Sequence, residues 1–483
     1  MADKNVKKQF KSSRKRKMAT LSTGIVVGFI AIVVIFNVVL NMLVERFPMK
    51  LDVTSENIYE LTDDTIDLLK TVKTNTEITV LFGEESLPAY LTEMLDNYKR
   101  YSSSISVKYI DTIKNPDYIK NREWTDLSSD AAIVVSTDLR YKEITSADLF
   151  DENSNFKGEQ AISSGIIYAT KDVVYDVIFI TGHGEEYDNG FKGLLSNNGY
   201  KVTSSELQKA EITENTKAIF INNPLTDFTS EEIDLLDKIM TNDENYGINT
   251  FAFFSASTPK LEKLENYIAE WGIGIGNEKV VESTSNISIY TYTQSLTYSD
   301  TSIIGTAKNY NFHTFLGEAR PLSILFDAKD SIVSVSSIIS SSEDSIAKPS
   351  SVEIKDVYDL EKDEGDIDGP FNVVVRSKKL RYDNDNDNKE LSGSLIVSGT
   401  SAISDEAFLS TSMFGNSRFI VNVLNSVSGL NETGFAIVAK TIAAEPLNAS
   451  GNIVSIFIML FVFMIPIVLI IIGVIIYMRR KHL

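Results

Sequence analysis

Two stretches near the ends of the chain, 18–44 and 453–478, contain no Asp, Glu, Lys or Arg and are rich in Val, Ile and Phe. A membrane-spanning helix needs about 20 apolar residues, so each is long enough to cross a bilayer with some tilt. Neither shows the polar stripe of a helix packed on a soluble core. Between them the pattern changes to short alternating or fully apolar runs separated by helical periodicity, which predicts an α/β ectodomain built of several units.

The first unit is expected over 45–160. Thr62 is placed to cap a helix whose first turn holds Asp63 and Asp64, both favourable at the positive end of the helix dipole. Ile78, Val80 and Phe82 alternate as a strand, and Leu91, Met94, Leu95 and Tyr98 fall on one helical face. Ile105, Val107 and Tyr109 form a second strand, and 131–135 a third. This order suits a thioredoxin-like sheet, without the cysteines of a redox motif.

The second unit, 161–273, reads as a doubly wound parallel sheet with helices on both faces. A strand over 173–180 runs into Thr181-Gly182-His183-Gly184-Glu185-Glu186, followed by a short helix near 191–195 that Asn198-Gly199 closes. Further strands start at Val202 and cover 218–221 and 248–254. Thr229 with Glu232 forms a capping box for a helix lined by Ile233, Leu236 and Met240. Leu261, Leu264, Ile268 and Trp271 line another, which Gly272 ends. The third segment, 274–451, is mixed α and β. Strands are expected at 287–293, 371–375 and 395–397, a strand plus loop in the serine-rich 331–351, and a helix at 414–426.

Charge fixes the expected orientation. The tail 1–17 carries eight basic residues against Asp3 alone, and the tail 479–483 contains Arg479, Arg480 and Lys481. Lys and Arg mark the cytoplasmic side, so both termini are expected inside, with spans at 18–44 and 452–478 and the intervening domain outside the cell membrane. The first span is too long for a signal-peptide h-region and lacks an A-x-A site after it, so it is expected to stay attached. The whole chain has a formal net charge of −20, and the ectodomain without the basic tails is more negative still. Such a surface repels phosphate backbones, so nucleic acid is not an expected partner. There is no cysteine, which removes disulfides, thiolate metal sites and a thiol nucleophile.

Few motifs carry chemistry. Gly182 and Gly184 follow a strand, but Tyr187 stands where a dinucleotide fingerprint needs its third glycine, and no Gly-Lys dipeptide exists for a phosphate-binding loop. No cofactor is therefore expected. His183 stands without further His or Cys ligands near it, so no metal is expected either. The run 383–388 has Asn388 and Ser394 where a calcium loop needs Gly and Glu, and is better read as a solvated hairpin tip. Ligands of doubly wound sheets bind beyond the carboxyl ends of the strands. His183 and Glu185, then Asn222 and Asn223, then Ser255 stand at three such ends and are expected to line one polar pocket for a ligand or partner. No nucleophile–base pair is evident among them, so binding is favoured over catalysis. In the first span, Asn37 and Asn41 are four residues apart and share one face, a candidate helix–helix interface.

With these residues placed, the ectodomain resembles the auxiliary, GldG-like component of gliding-motility-type ABC transport systems. The resemblance runs through 51–62, the motifs Phe156-Lys157-Gly158-Glu159-Gln160-Ala161-Ile162 and Thr181-Gly182-His183-Gly184-Glu185, the helix start at 225–236, and Ser341-Ser342-Glu343-Asp344-Ser345. It ends in Gly415-Asn416-Ser417 with Phe419 and Asn422. It implies an accessory or substrate-binding-like subunit working beside a separate permease and a separate ATP-binding subunit, with a second unit similar to glutamine amidotransferase folds but without their cysteine. Two other classes stay open: a surface hydrolase using the strand-end pocket, and an anchor that binds cell-wall polymer.

Overall fold

A computed structural model of the chain describes residues 60–282 other than 123, 125–126 and 152–153. It also describes 317–326, 332–354, 361–383, 389–411 and 414–430, with isolated positions elsewhere. Two compact units are formed, one by Ile58–Ala444 and the other by Met1–Asn57 with Glu445–Leu483. Among the described residues no helix is long and apolar enough to cross a membrane. The expected spans at 18–44 and 452–478, with Asn37 and Asn41, lie outside the described residues apart from isolated positions. Ile58–Ala444 is an α/β structure with several sheets.

The first sheet follows the expected pattern closely. Helix α1 (Asp63–Thr71) is capped by Thr62, whose hydroxyl accepts from the Thr65 amide. Strand β1 (Thr76–Val80), helix α2 (Ala89–Tyr101), β2 (Ile105–Tyr109), β3 (Ala131–Ser136) and β4 (Tyr141–Thr145) follow. The spatial order is β2-β1-β3-β4. The β1–β2 pair is parallel, as a helical crossover requires, and the β1–β3 and β3–β4 pairs are antiparallel. Leu91, Met94, Leu95 and Tyr98 of α2 are buried against this sheet. Phe82 lies beyond β1 and is exposed.

Helix α3 (Gly158–Thr170) corrects the boundary expected at 160. Its Ile162, Ile166, Ile167 and Ala169 complete the core of the first sheet together with Ile78, Val135 and Ile144. At Gly165 a Cβ would come within 2.8 Å of the Val135 side chain, so the helix seats directly on β3. The first structural layer therefore continues to about residue 170.

The second sheet contains β5 (Asp176–Thr181), β6 (Lys201–Glu206), β7 (Thr216–Asn222) and β8 (Asn249–Phe253), all parallel, in the order β6-β5-β7-β8. Helix α4 (Asn189–Asn197) connects β5 to β6. Helix α5 (Ser230–Thr241) connects β7 to β8, and α6 (Glu262–Glu270) follows β8. Both faces of the sheet are apolar and each is covered. Val177, Phe179, Ala218 and Phe220 pack with Phe191 and Leu195 of α4, and Ile178, Ile180, Ile219 and Ile221 pack with Leu236 and Met240 of α5 and Ile268 of α6.

Much of the mixed segment expected from 274 is continuous with this sheet, while Glu278–Glu282, Ser345–Pro349 and Ile367–Asp368 form a three-stranded sheet of their own. Strand β9 (Val333–Ser340), β10 (Asn372–Asp383) and β11 (Lys389–Ser398) extend it, with β11 parallel to β8 and β10 antiparallel to β11. The boundary at 273/274 thus crosses a hydrogen-bonded sheet. Helix α7 (Asn416–Val427) covers the α4 face through Phe419, Ile420, Val423 and Leu424. The serine-rich 331–351 forms β9 and a second strand, Ser345–Pro349, rather than one strand and a loop. β10 and β11 face each other up to the pair Asp383–Lys389, which is the hairpin expected there. Its tip at 384–388 and the strand expected at 287–293 lie outside the described residues.

Candidate functional site

Because β5, β7, β8 and β11 are parallel, their carboxyl ends open on one edge, and a cleft of about 390 Å³ lies there. Glu186 and Asp188 follow β5, Asn222 and Asn223 end β7, and Ser255, Ala256 and Ser257 follow β8. Thr400, Ser401, Ala402, Ser404 and Asp405 follow β11, and Glu318 completes the lining. The sheet order reverses direction at β5, with β6 on one side and β7 on the other, so the loops of β5 and β7 flank a topological switch point.

Asn222 joins three of these loops. Its side-chain Nδ2 donates to the Glu186 carbonyl at 2.6 Å, and its Oδ1 accepts from the Ser404 hydroxyl at 3.2 Å. Asn223 takes a left-handed conformation at φ 50°, one that Asn tolerates better than most residues. Its amide donates to the Phe253 carbonyl at 2.7 Å, and its Oδ1 accepts from the Thr258 hydroxyl at 2.5 Å. The Ser255 hydroxyl lies 2.8 Å from that of Ser257. Three expected site residues, Asn222, Asn223 and Ser255, therefore come together in the cleft.

His183 and Glu185 do not line it. The His183 ring is buried and stacks on Phe228, with centroids 3.8 Å apart and planes inclined by 12°. Its Nε2 lies 3.2 Å from a Glu232 carboxylate oxygen, and its carbonyl accepts from the Leu225 and Thr226 amides at 2.7 and 2.9 Å. Glu185 accepts from the His183 amide at 2.8 Å, and its second oxygen is 3.5 Å from His183 Nδ1. His183 fastens the β5 loop to the start of α5, and Glu185 braces His183 from within the loop. Gly184, at φ 84°, permits this approach, since a Cβ there would stand 3.0 Å from Leu225 Cβ.

Glu232 is the other half of this junction. It accepts from both the amide and the hydroxyl of Thr229 at 2.8 Å, in the capping box expected from the sequence. Burial works to raise its pKa, but the Thr229 hydrogen bonds and the His183 contact outweigh it and hold the carboxyl below the ordinary glutamate range. Tyr187, beside the cleft, donates to the Phe220 carbonyl at 2.7 Å. Burial, with the Glu185 charge adding to it, pushes its phenol well above the usual range.

The acidic character of the cleft is largely spent on structure. Asp188 caps α4 by accepting from the Phe191 amide at 2.7 Å, and its other oxygen accepts from the Glu406 amide at 2.7 Å. Asp405 accepts from the Ala407 amide at 2.8 Å, and Glu318 lies 3.4 Å from the Lys279 ammonium. Among the described residues no group of His, Cys, Asp and Glu is arranged to hold a metal ion. Sequence reasoning missed the 400–405 loop, although Ser398-Gly399-Thr400-Ser401 after the apolar 395–397 repeats the strand-then-polar signal read at the other three ends.

The fold and cleft define an α/β protein with a polar cleft at the carboxyl edge of its sheet. A model for a domain of unknown function, DUF7088, matches residues 55–167, which takes in the first sheet and most of α3. No curated protein matches the chain. Six solved chains match. One, described as the mmIFT52 N-terminal domain, is 14% identical, with 53% of this chain and 99% of that chain covered and a TM-score of 0.37.

Proposed function

We propose that the chain is a membrane-anchored accessory subunit of an ABC transport system, crossing the bilayer at 18–44 and 452–478 with both termini cytoplasmic. In this reading it works beside a separate permease and ATP-binding subunit, and the strand-end cleft is a binding site for an extracytoplasmic ligand or partner. The observation that carries the binding role is the cleft itself. Its amides, hydroxyls and carboxylates are held by one another across four loops, which makes a rigid hydrogen-bonding surface on a preorganised sheet edge. The hydrolase alternative asks for a base beside Ser255, and the side chains bonded to the Ser255 hydroxyl are those of Ser257 and Thr258, while His183 faces α5.

The strand orders support the finer fold reading. β2-β1-β3-β4, with β3 antiparallel to its neighbours, suits a thioredoxin-like unit. The parallel run β6-β5-β7-β8-β11 has the 2-1-3-4-5 order of flavodoxin-like doubly wound sheets, in keeping with an amidotransferase-like unit. Affinity purification of the tagged full-length chain from its native membrane tests the proposal. A multi-span permease and an ATPase should co-purify in fixed ratio, and their absence under mild detergent would overturn the transport role.

A further inference from the structure

The motif Phe156-Lys157-Gly158-Glu159-Gln160, which the cleft does not use, sits where the chain enters and leaves the folded unit. Glu159 stands in the first turn of α3 and is 3% exposed. One carboxylate oxygen accepts from both the amide and the hydroxyl of Thr62 at 2.7 Å, at the start of α1. The other oxygen lies 2.8 Å from the Lys440 ammonium, a charge contact not aligned as a hydrogen bond. Lys440 Nζ also donates to the Glu60 carbonyl at 2.6 Å, so it touches the entering segment directly.

The neighbouring residues of the motif hold the leaving segment by its backbone. Phe156 and Lys440 exchange two backbone hydrogen bonds, of 2.7 and 2.9 Å, and the Gln160 side chain donates to the Ile437 carbonyl at 2.7 Å. Gly158 is required by close approach: a Cβ there would stand 2.1 Å from the Phe156 ring. Behind the carboxylate a polar chain continues through Tyr98, whose hydroxyl donates to the Glu159 carbonyl at 3.0 Å and lies 2.7 Å from the Ser163 hydroxyl. Burial, with the Glu159 charge adding to it, raises the Tyr98 phenol well above its usual range. A second tie reaches the large sheet, where Arg418 of α7 grips Asp64 of α1 through both carboxylate oxygens, at 2.7 and 3.2 Å.

We propose that Glu159 is a latch that fastens the entering segment at Thr62 and the leaving segment at Lys440 to the amino end of α3, so that the two segments are held or released together. The reason is charge. A carboxylate this buried is tolerated through its partners, and removing one leaves it uncompensated. Loss of the Lys440 contact therefore also weakens the grip on Thr62. If the flanking segments are membrane spans, a displacement of either anchor arrives at the same carboxylate. That consequence rests on the transport reading, whereas the latch does not.

Hydrogen exchange of the purified full-length chain in detergent tests the latch, with Glu159→Gln and Lys440→Met compared with the unaltered protein. In Lys440→Met, amides at Thr62, Phe156 and residue 440 should all exchange faster by about tenfold or more, while those of β5 and β7 keep their rates. Glu159→Gln should give the same joint release, and if that variant does not fold, Thr62→Val, which leaves the Lys440–Glu60 bond in place, decides by whether residue 440 also loosens. The latch is overturned if Lys440→Met loosens only the leaving segment, if it loosens neither, or if β5 and β7 accelerate equally. A missing permease in the purification would bear on the transport role and leave this result untouched.

Discussion

Replacing His183 by Ala separates a structural junction from a ligand contact. The ring stacks on Phe228 at 3.8 Å, a contact worth about 0.5–1.5 kcal/mol. It also sits 3.2 Å from the Glu232 carboxylate, and a hydrogen bond to a charged group contributes about 1.5–3 kcal/mol. The two together predict a loss of about 2–4 kcal/mol, since both partners are largely buried and solvent compensates little. Urea unfolding of the full-length chain should show a lower midpoint at an unchanged slope, and exchange should accelerate first at the amides of the α5 amino end. A variant with unaltered stability, or one whose loosening begins at the cleft loops around Ser255 and Thr400, would refute the junction.

Glu232→Gln should cost about 1 kcal/mol, the usual scale of a lost helix cap. Because its folded carboxyl is held below the ordinary glutamate range, this contribution is present above the unfolded-state pKa and is lost as pH falls through the folded one. The stability gap between wild type and variant, read from urea melts, should therefore be full at neutral pH and close in acid. Gly399→Ala should be far more damaging than its size suggests, since the new Cβ would stand 2.0 Å from the Arg320 carbonyl oxygen. Backbone cannot yield as a side-chain tip does, so a cost of about 3 kcal/mol, at the upper end for overpacking, is expected in thermal melts.

The parts of the fold legible in the sequence are those fixed by neighbours along the chain. The caps at Thr62 and Thr229, the face of α2 and the parallel strands β5, β7 and β8 all follow from spacing within about ten residues. The pairing of β11 with β8 joins Leu395 to Thr250, and nothing in either short apolar run states that partner. Without it the pattern along the chain ends the sheet at 273 and leaves the fourth loop of the cleft unassigned. Helix α3 goes unassigned for the same reason: the residues that seat it, such as Val135 and Ile144, are distant along the chain.

The candidate site shows a finer limit, because the carboxyl-end rule places loops and says nothing about side-chain direction. Along a strand, alternate residues face opposite sides. Ala218 and Phe220 point to the α4 and α7 face, so parity sends Asn222 to the same side, where it meets Ser404. Phe251 and Phe253 likewise direct Ser255 there. Val177 and Phe179 also face that side, and parity alone would carry His183 with them. Gly182, at φ 120°, interrupts the alternation before it reaches the histidine. The turn delivers the imidazole to the opposite face, against Phe228 and Glu232 of the α5 junction. The glycine that marks a sharp strand-to-helix corner in the sequence is thus the residue that removes His183 from the cleft and leaves its lining to Asn222, Asn223 and Ser255.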